Sequence, residues 1–326
     1  MKTITNASAR DLKQAIALSQ QAQKDGKTSA FAGGGSDLLG MVKERIVTPD
    51  VIVHLKTIKS LDRIVANGKG ITIGGQTTLD TISHHPVIRK QYTVLAEAAE
   101  TVATPQIRNV GTIAGNVSQR PWCWYFRNGF PCYKAGGNTC FSITGENQFH
   151  AIFGGGPSFI VHPSDTAVAL VALGAEFRIA GPSGERVAPA AEFFVLPKAN
   201  AARENVMAAD EILASIHIPA PPAGRTSTYQ KVMDREAWTH AVVSVAVVLD
   251  IDNGVCKSAR IVLGGVAPIP WHLAQAEKLL SGQRITPELA ARVGEASVTG
   301  ASPLAKNAYK LPLTQATVKN AIMAFA

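Results

Sequence analysis

Two short stretches decide how this chain is read: Phe31-Ala-Gly-Gly-Gly-Ser-Asp37, and Arg108-Asn-Val-Gly-Thr-Ile-Ala-Gly-Asn116 further along. The first stands between a strand-like segment, 28–31, and a helix-like one, so its glycines can take positive φ and aim backbone N–H groups at an anion. The second adds glycines, a hydroxyl and two amides, groups that bond a phosphate or the polar edge of a heterocycle. Neither is a dinucleotide fingerprint, because GxGxxG is absent, and neither carries the Lys-Ser/Thr of a P-loop. Alone, a triple glycine reads equally as a tight turn, and Asn116 or Asp165 as a helix cap.

Working outward, residues 8–23 read as a helix capped by Ser8, 46–55 and 71–73 as strands, and 86–102 as a second helix. Pro219-Ala-Pro-Pro-Ala-Gly224 is the best boundary in the chain. Beyond it, 227–231, 242–251 and 259–263 read as strands with a turn at Asp252-Asn253-Gly254, followed by two or three helices. The expected organisation is a unit over 1–221 and a smaller α+β unit over 222–326. The 326 residues are 46% hydrophobic and only 17% charged, which excludes a disordered chain and points to much buried or partner-covered surface. A net charge of +8 favours anionic ligands, yet the basic residues are scattered and form no nucleic-acid arm. No apolar run reaches the roughly 20 residues of a spanning helix, and the first thirty residues lack a secretory core. A soluble protein is expected, cytoplasmic by default, although a partner subunit bearing a twin-arginine signal could carry it across a membrane already folded.

Cys123, Cys132 and Cys140 fall within eighteen residues, whereas Cys256 sits alone in a strand-like stretch and reads as a small buried apolar residue. Three is an odd number for bridging in a chain of this length, so metal or cluster ligation ranks above disulfides. Residues 122–157 are rich in aromatics and glycine and poor in aliphatic runs. They read as an ordered insertion held by something other than an apolar core.

The segments AGGGSDLL, TPQIRNVGTIAGNV, HPSDTAVALVALGA, DEILASIHIP, YQKVMDREAWTHAVVSVAV and GGVAPIPW occur in an order that resembles the FAD-binding medium subunits of the xanthine dehydrogenase family of molybdenum hydroxylases. The resemblance covers nearly the whole chain. It implies an α+β fold: a p-cresol methylhydroxylase-type FAD-binding domain over 1–221, then a small domain like that of carbon monoxide dehydrogenase flavoproteins. It further implies that Ala32, Gly33, Gly34, Gly35, Ser36, Asp37 and Leu38 wrap the FAD diphosphate. Arg108, Asn109, Gly111, Thr112, Gly115 and Asn116 would belong to the second loop on the diphosphate and flavin side. Asp165 would lie on the sugar or adenine side, Ile212 and Leu213 on the adenine end, and Lys231 near the flavin, where a cation would favour the anionic reduced form. Lys231 reads equally as a solvated strand lysine.

The insertion over about 120–157 resembles the iron–sulfur loop of a subset of these subunits, including those of 4-hydroxybenzoyl-CoA reductase and bacterial aldehyde oxidoreductases. That implies a [4Fe–4S] cluster on Cys123, Cys132 and Cys140, with eight and then seven residues between them. The fourth ligand stays open among His150, Ser158 and His162, or a three-iron cluster; His150 is the first choice. Three cysteines and a histidine would also suit a structural zinc ion. The expected function is an electron-transfer flavoprotein subunit, working with a large molybdopterin subunit and a small [2Fe–2S] subunit and passing electrons to an external acceptor. Competing readings are a stand-alone flavin reductase or oxidase, and a zinc-stabilised nucleic-acid-binding module using Arg120, Arg127 and Lys134 with Trp122, Trp124 and Tyr125.

Overall fold

The computed structural model describes residues 3–326. Three sheets follow one another along the chain. The first is parallel and small: β1 (Thr5–Ser8) and β2 (Ser29–Ala32) flank β3 (Val51–His54). The helix Leu12–Lys24 joins β1 to β2 and buries Ala15, Ile16, Ser19 and Ala22, the face its spacing implied. It starts later than expected, because Ser8 is spent in β1. Asp11 is the cap, its side chain accepting from the Gln14 amide at 2.8 Å. The strand expected over 46–55 shrinks to 51–54; Pro49 lacks the N–H a ladder needs, and the Ile46 amide turns back to the Met41 carbonyl at 2.9 Å.

The second sheet is antiparallel, in the order β4 (Ile64–Asn67), β5 (Gly70–Gly74), β8 (Ile212–Pro219), β6 (Glu176–Gly181), β7 (Gly184–Pro189). Its buried positions Ile71, Ile73, Phe177, Ile216 and Ile218 share one core with Leu95 and Leu170 from the covering helices Thr93–Glu100 and Asp165–Ala172. The helix expected over 86–102 is two, Pro86–Gln91 and Thr93–Glu100. Tyr92 leaves helical space at φ −133° and places its buried hydroxyl to donate to the Pro219 carbonyl at 3.2 Å.

The third sheet is also antiparallel, in the order β12 (Trp271–His272), β11 (Val255–Gly264), β10 (Val243–Asp252), β9 (Arg225–Val232), with the expected turn at Asn253 and Gly254, both at positive φ. Both faces of β10 are buried, which explains its near-continuous apolar run. Val245, Val247 and Leu249 pack with the C-terminal helices Ala274–Leu280, Pro287–Ala296 and Lys310–Met323. Ala246 and Val248 join Tyr229 and Val262 in the core of the second sheet. Glu97 fastens that junction, accepting from the Thr228 hydroxyl at 3.0 Å and the Tyr229 amide at 2.6 Å. The proline-rich stretch 219–224 therefore marks a change of sheet, while the apolar core runs across it. No helix among the described residues is long and apolar enough to cross a membrane.

Candidate functional site

The two glycine stretches meet. A Cβ built on Gly34 would stand 2.0 Å from the Val110 carbonyl oxygen, and one on Gly33 2.6 Å from the Thr112 hydroxyl, so the loops touch where only glycine fits. Gly35 takes φ +75° and turns the chain from β2 into the helix Leu38–Lys43. A third loop, Gly74-Gly75-Gln76-Thr77, completes the group: the Ile113 amide donates to the Thr77 carbonyl and the Ala114 amide to the Gly75 carbonyl, at 2.9 and 3.0 Å. Gln76 Oε1 and Thr77 Oγ1 are buried without a hydrogen-bond partner among the described residues. This loop escaped the sequence reading; the Gly74-Gly75 pair directly after a strand was the signal available.

The first two loops open onto a cavity of about 350 Å³ lined by Ser36, Asp37, Gly111, Thr112, Gly115 and Asn116, together with Val102, Ala103, Trp122 and Trp238. Two non-glycine positions take left-handed backbone here: Trp238 at φ +58° donates its amide to the carbonyl of Ala103, itself at φ +45°. Of the residues expected in the second loop, Arg108 and Asn109 face elsewhere, donating to the Val102 and Pro105 carbonyls at 2.9 and 2.8 Å. Asn116 is held by two hydroxyls, Ser164 and Thr166, each donating to its Oδ1 at 2.6 Å. Ile212 and Leu213 lie in the core, 3% and 2% exposed, and line neither cavity described here.

Asp165 and Lys231, expected at separate parts of the ligand, are partners. Asp165 accepts from Lys231 Nζ at 2.8 Å and from the Tyr229 hydroxyl at 2.6 Å, and Lys231 also donates to the Thr101 carbonyl at 3.0 Å. The side chain of Lys231 is 1% exposed, so the solvated-lysine reading falls, and its charge is offset by Asp165 rather than free to act on a bound ring. Burial raises the Tyr229 phenol well above its ordinary range, with the Asp165 charge adding to it, which keeps the O–H as the donor.

A second, smaller cavity of about 170 Å³ shares Trp122, Pro163, Asp165, Thr239 and His240 with the first and is lined on its far side by Cys123 and His150. Cys123 Sγ lies 3.3 Å from His150 Nε2. Cys140 Sγ accepts from the Phe159 amide at 3.4 Å and lies 3.1 Å from the Ser142 hydroxyl. Burial, with Cys132 and Cys140 close enough to add to it, pushes the Cys123 thiol up to about 11. Burial and the Lys310 charge push His150 down to about 4, so its imidazole is neutral at pH 7, with Nδ1 buried and without a partner among the described residues. His162 is pushed down to about 3 by burial; its Nδ1 accepts from the Ser164 amide and its ring stands edge-on to Phe194. No three ligating side chains among the described residues close on a single metal ion. Zn–S bonds of about 2.3 Å would demand such closure.

Buried charges hold much of the insertion, while Ile152 and Phe153 at its end join the apolar core of the C-terminal region. Arg127 pairs with Asp37 at 2.7 Å, and both Arg120 and Lys134 with Glu204 at 3.2 Å. Tyr125, Phe130 and Phe141 pack against one another beside them. The basic residues that a nucleic-acid module would need are spent internally. The other edge is stitched to the C-terminal region: Asn307 Nδ2 and Lys310 Nζ donate to the His150 carbonyl at 3.0 and 3.2 Å, and the Lys306 amide to Asn147 Oδ1 at 2.9 Å.

Comparison with known proteins decides what the cradle belongs to. Residues 2–221 match the family described as the FAD binding domain in molybdopterin dehydrogenase, and 228–325 the CO dehydrogenase flavoprotein C-terminal domain. The chain belongs to this family of FAD-binding medium subunits. It is 33% identical over 297 residues to the aldehyde oxidoreductase FAD-binding subunit PaoB of Escherichia coli K12, covering 90% of each chain. It is 29% identical over 260 residues to the nicotinate dehydrogenase FAD-subunit of Eubacterium barkeri, covering 79% of this chain and 74% of that one. Among solved structures, carbon monoxide dehydrogenase from Hydrogenophaga pseudoflava superposes with a TM-score of 0.77 at 25% identity, over 99% of this chain and 98% of that one. The flavoprotein subunit is thus an oxidoreductase component, and the chemistry of the larger cavity's lining fits FAD: the Ser36 and Thr112 hydroxyls, the Asn116 amide and the Gly111 and Gly115 backbone stand together there.

Proposed function

We propose that this flavoprotein subunit carries electrons within a molybdenum hydroxylase that oxidises an aldehyde or N-heterocycle. In this reading a large molybdopterin subunit and a small [2Fe–2S] subunit are its partners, and an external acceptor receives the electrons. The observation that carries the reading is the pair of adjoining cavities, one built of glycine loops and one lined by Cys123 and His150, sharing the wall of Trp122 and His240. Bound FAD would supply the exchange between one-electron carriers and the final acceptor. The chain's own part is to bind and orient. Gly33 to Ser36 with Thr112 and Gly115 would receive the diphosphate, and the closed Asp165–Lys231–Tyr229 group would fix the floor beneath the ring or sugar.

In the same reading Cys123, Cys132, Cys140 and His150 would hold a [4Fe–4S] cluster, and Cys123 and His150, now 3.3 Å apart, would have to separate to reach different irons. Ligation requires the Cys123 thiol to lose a proton that the metal-free chain holds tightly, so loading releases protons. An anaerobic visible spectrum, with iron, sulfide, zinc and released flavin measured on one sample, tests both parts. Flavin bands over a broad shoulder and about four irons per FAD are expected. Flavin without iron would remove the cluster and leave the FAD subunit standing; zinc without flavin would overturn the reading.

A further inference from the structure

We propose that Arg127, a residue of the cysteine insertion, is a positioning residue of the flavin site: it neutralises the carboxylate that the glycine loop sets at the diphosphate cradle. The proposal rests on the cradle reading above. Asp37 ends the glycine loop and lines the larger cavity. It stands at the N-cap of the helix Leu38–Lys43, where an aspartate usually bonds the helix amides, yet it makes no such bond. Instead Oδ1 accepts from Arg127 Nη2 at 2.7 Å and Oδ2 from the Arg120 amide at 3.1 Å.

A bare carboxylate beside a ligand carrying two phosphate charges would repel it, more strongly where water is excluded. The Asp37 side chain is 19% exposed and that of Arg127 6%, so solvent screens the pair little. Arg127 cannot swing away. Its Nε donates to the Pro121 carbonyl at 2.9 Å, its Nη2 also to the Arg120 carbonyl at 3.0 Å, and its guanidinium lies 4.3 Å from the Trp122 ring centre. Trp122 in turn lines the same cavity as Asp37. Nη1 is buried with no partner among the described residues, and Arg127 lines neither cavity, so its effect on a ligand runs through the Asp37 carboxylate. The insertion thereby serves flavin binding through charge, whatever metal its cysteines hold.

FAD titrations of the full chain after flavin removal, followed by flavin and tryptophan emission, form the test on wild type, Arg127→Met, Asp37→Asn and the double variant. Arg127→Met should weaken FAD by about tenfold or more, because it leaves Asp37 unpaired. Asp37→Asn/Arg127→Met should return to within about threefold of wild type, since the repelling charge is gone. A purely structural role for Arg127 would leave the double variant as weak as Arg127→Met, and that result overturns the proposal, as does wild-type affinity in Arg127→Met. Should Arg127→Met fail to fold, the double variant decides alone: affinity near wild type supports the proposal, and a tenfold loss overturns it. Failure of the wild-type chain to bind FAD would instead remove the cradle reading, and the proposal with it.

Discussion

Gly34 shows how a single residue joins two parts of the site. Its missing side chain lets the first loop rest on the Val110 carbonyl, 2.0 Å from where a Cβ would be. Gly34→Ala should therefore cost about 1–3 kcal/mol through displaced backbone and reduce flavin content. Gly40→Ala, in the following helix with nothing within 4 Å, should leave both unchanged or slightly raise Tm. Thermal melts and flavin content of the two variants separate local crowding from a general intolerance of change. The sequence pointed to these glycines as ligand contacts; that they first contact each other's loops is tertiary and invisible in the string. His162 makes a second prediction. Burial holds its folded pKa near 3 against an ordinary 6.5, so its contribution to stability is complete above pH 6.5 and is lost as pH falls toward 3. His162 should add up to ~1.4 kcal/mol per pH unit in that window, beside the shares of His150 and His240, which burial also pushes down to about 4, and in denaturant melts His162→Phe should lower the slope by that amount.

At the scale of elements, the insertion answers to both halves of the chain. Asp37 and Glu204 hold its first half by ion pairs, and the segment 306–310 holds its second by bonds to the 147–151 backbone. Lys310 is 0% exposed, with Nζ donating to the Phe149, His150 and Gly265 carbonyls. Lys310→Met would strand the Phe149 and Gly265 carbonyls, while the His150 carbonyl keeps Asn307 Nδ2, and should cost about 2–3 kcal/mol. Limited proteolysis should then cut within 141–150 faster than in wild type, and iron content should fall. Equal cleavage and equal iron would show that the insertion stands without this brace. Little of this was legible beforehand. Composition marked 122–157 as lacking an apolar core, but a lysine far along the chain that bonds carbonyls leaves no trace in periodicity. Strands carried by β-branched and apolar runs came through, as in β10 and β11, while ends set by Ser8, Pro49 and Tyr92 shifted because ladders and tertiary contacts outweighed local preference.

For the molecule as a whole, the central question is what the adjoining cavities hold. Their walls come from distant parts of the chain: the two glycine loops, the insertion, and the 234–240 segment following β9. The motifs disclosed the loops because their chemistry is local. The Asp165–Lys231 pairing, joining a helix that covers the second sheet to a strand of the third, needed the fold. Family membership makes FAD the expected occupant, and the geometry supplies a direct reporter, since Trp122 and Trp238 both line the larger cavity. The measurement to make is a titration of the flavin-free chain with FAD, following tryptophan emission in wild type and in Trp122→Phe/Trp238→Phe. Saturable quenching at one FAD per chain, largely lost in the double variant while FAD still binds, is the predicted result. Binding with no quenching, or quenching undiminished in the double variant, would place the flavin elsewhere and contradict the account.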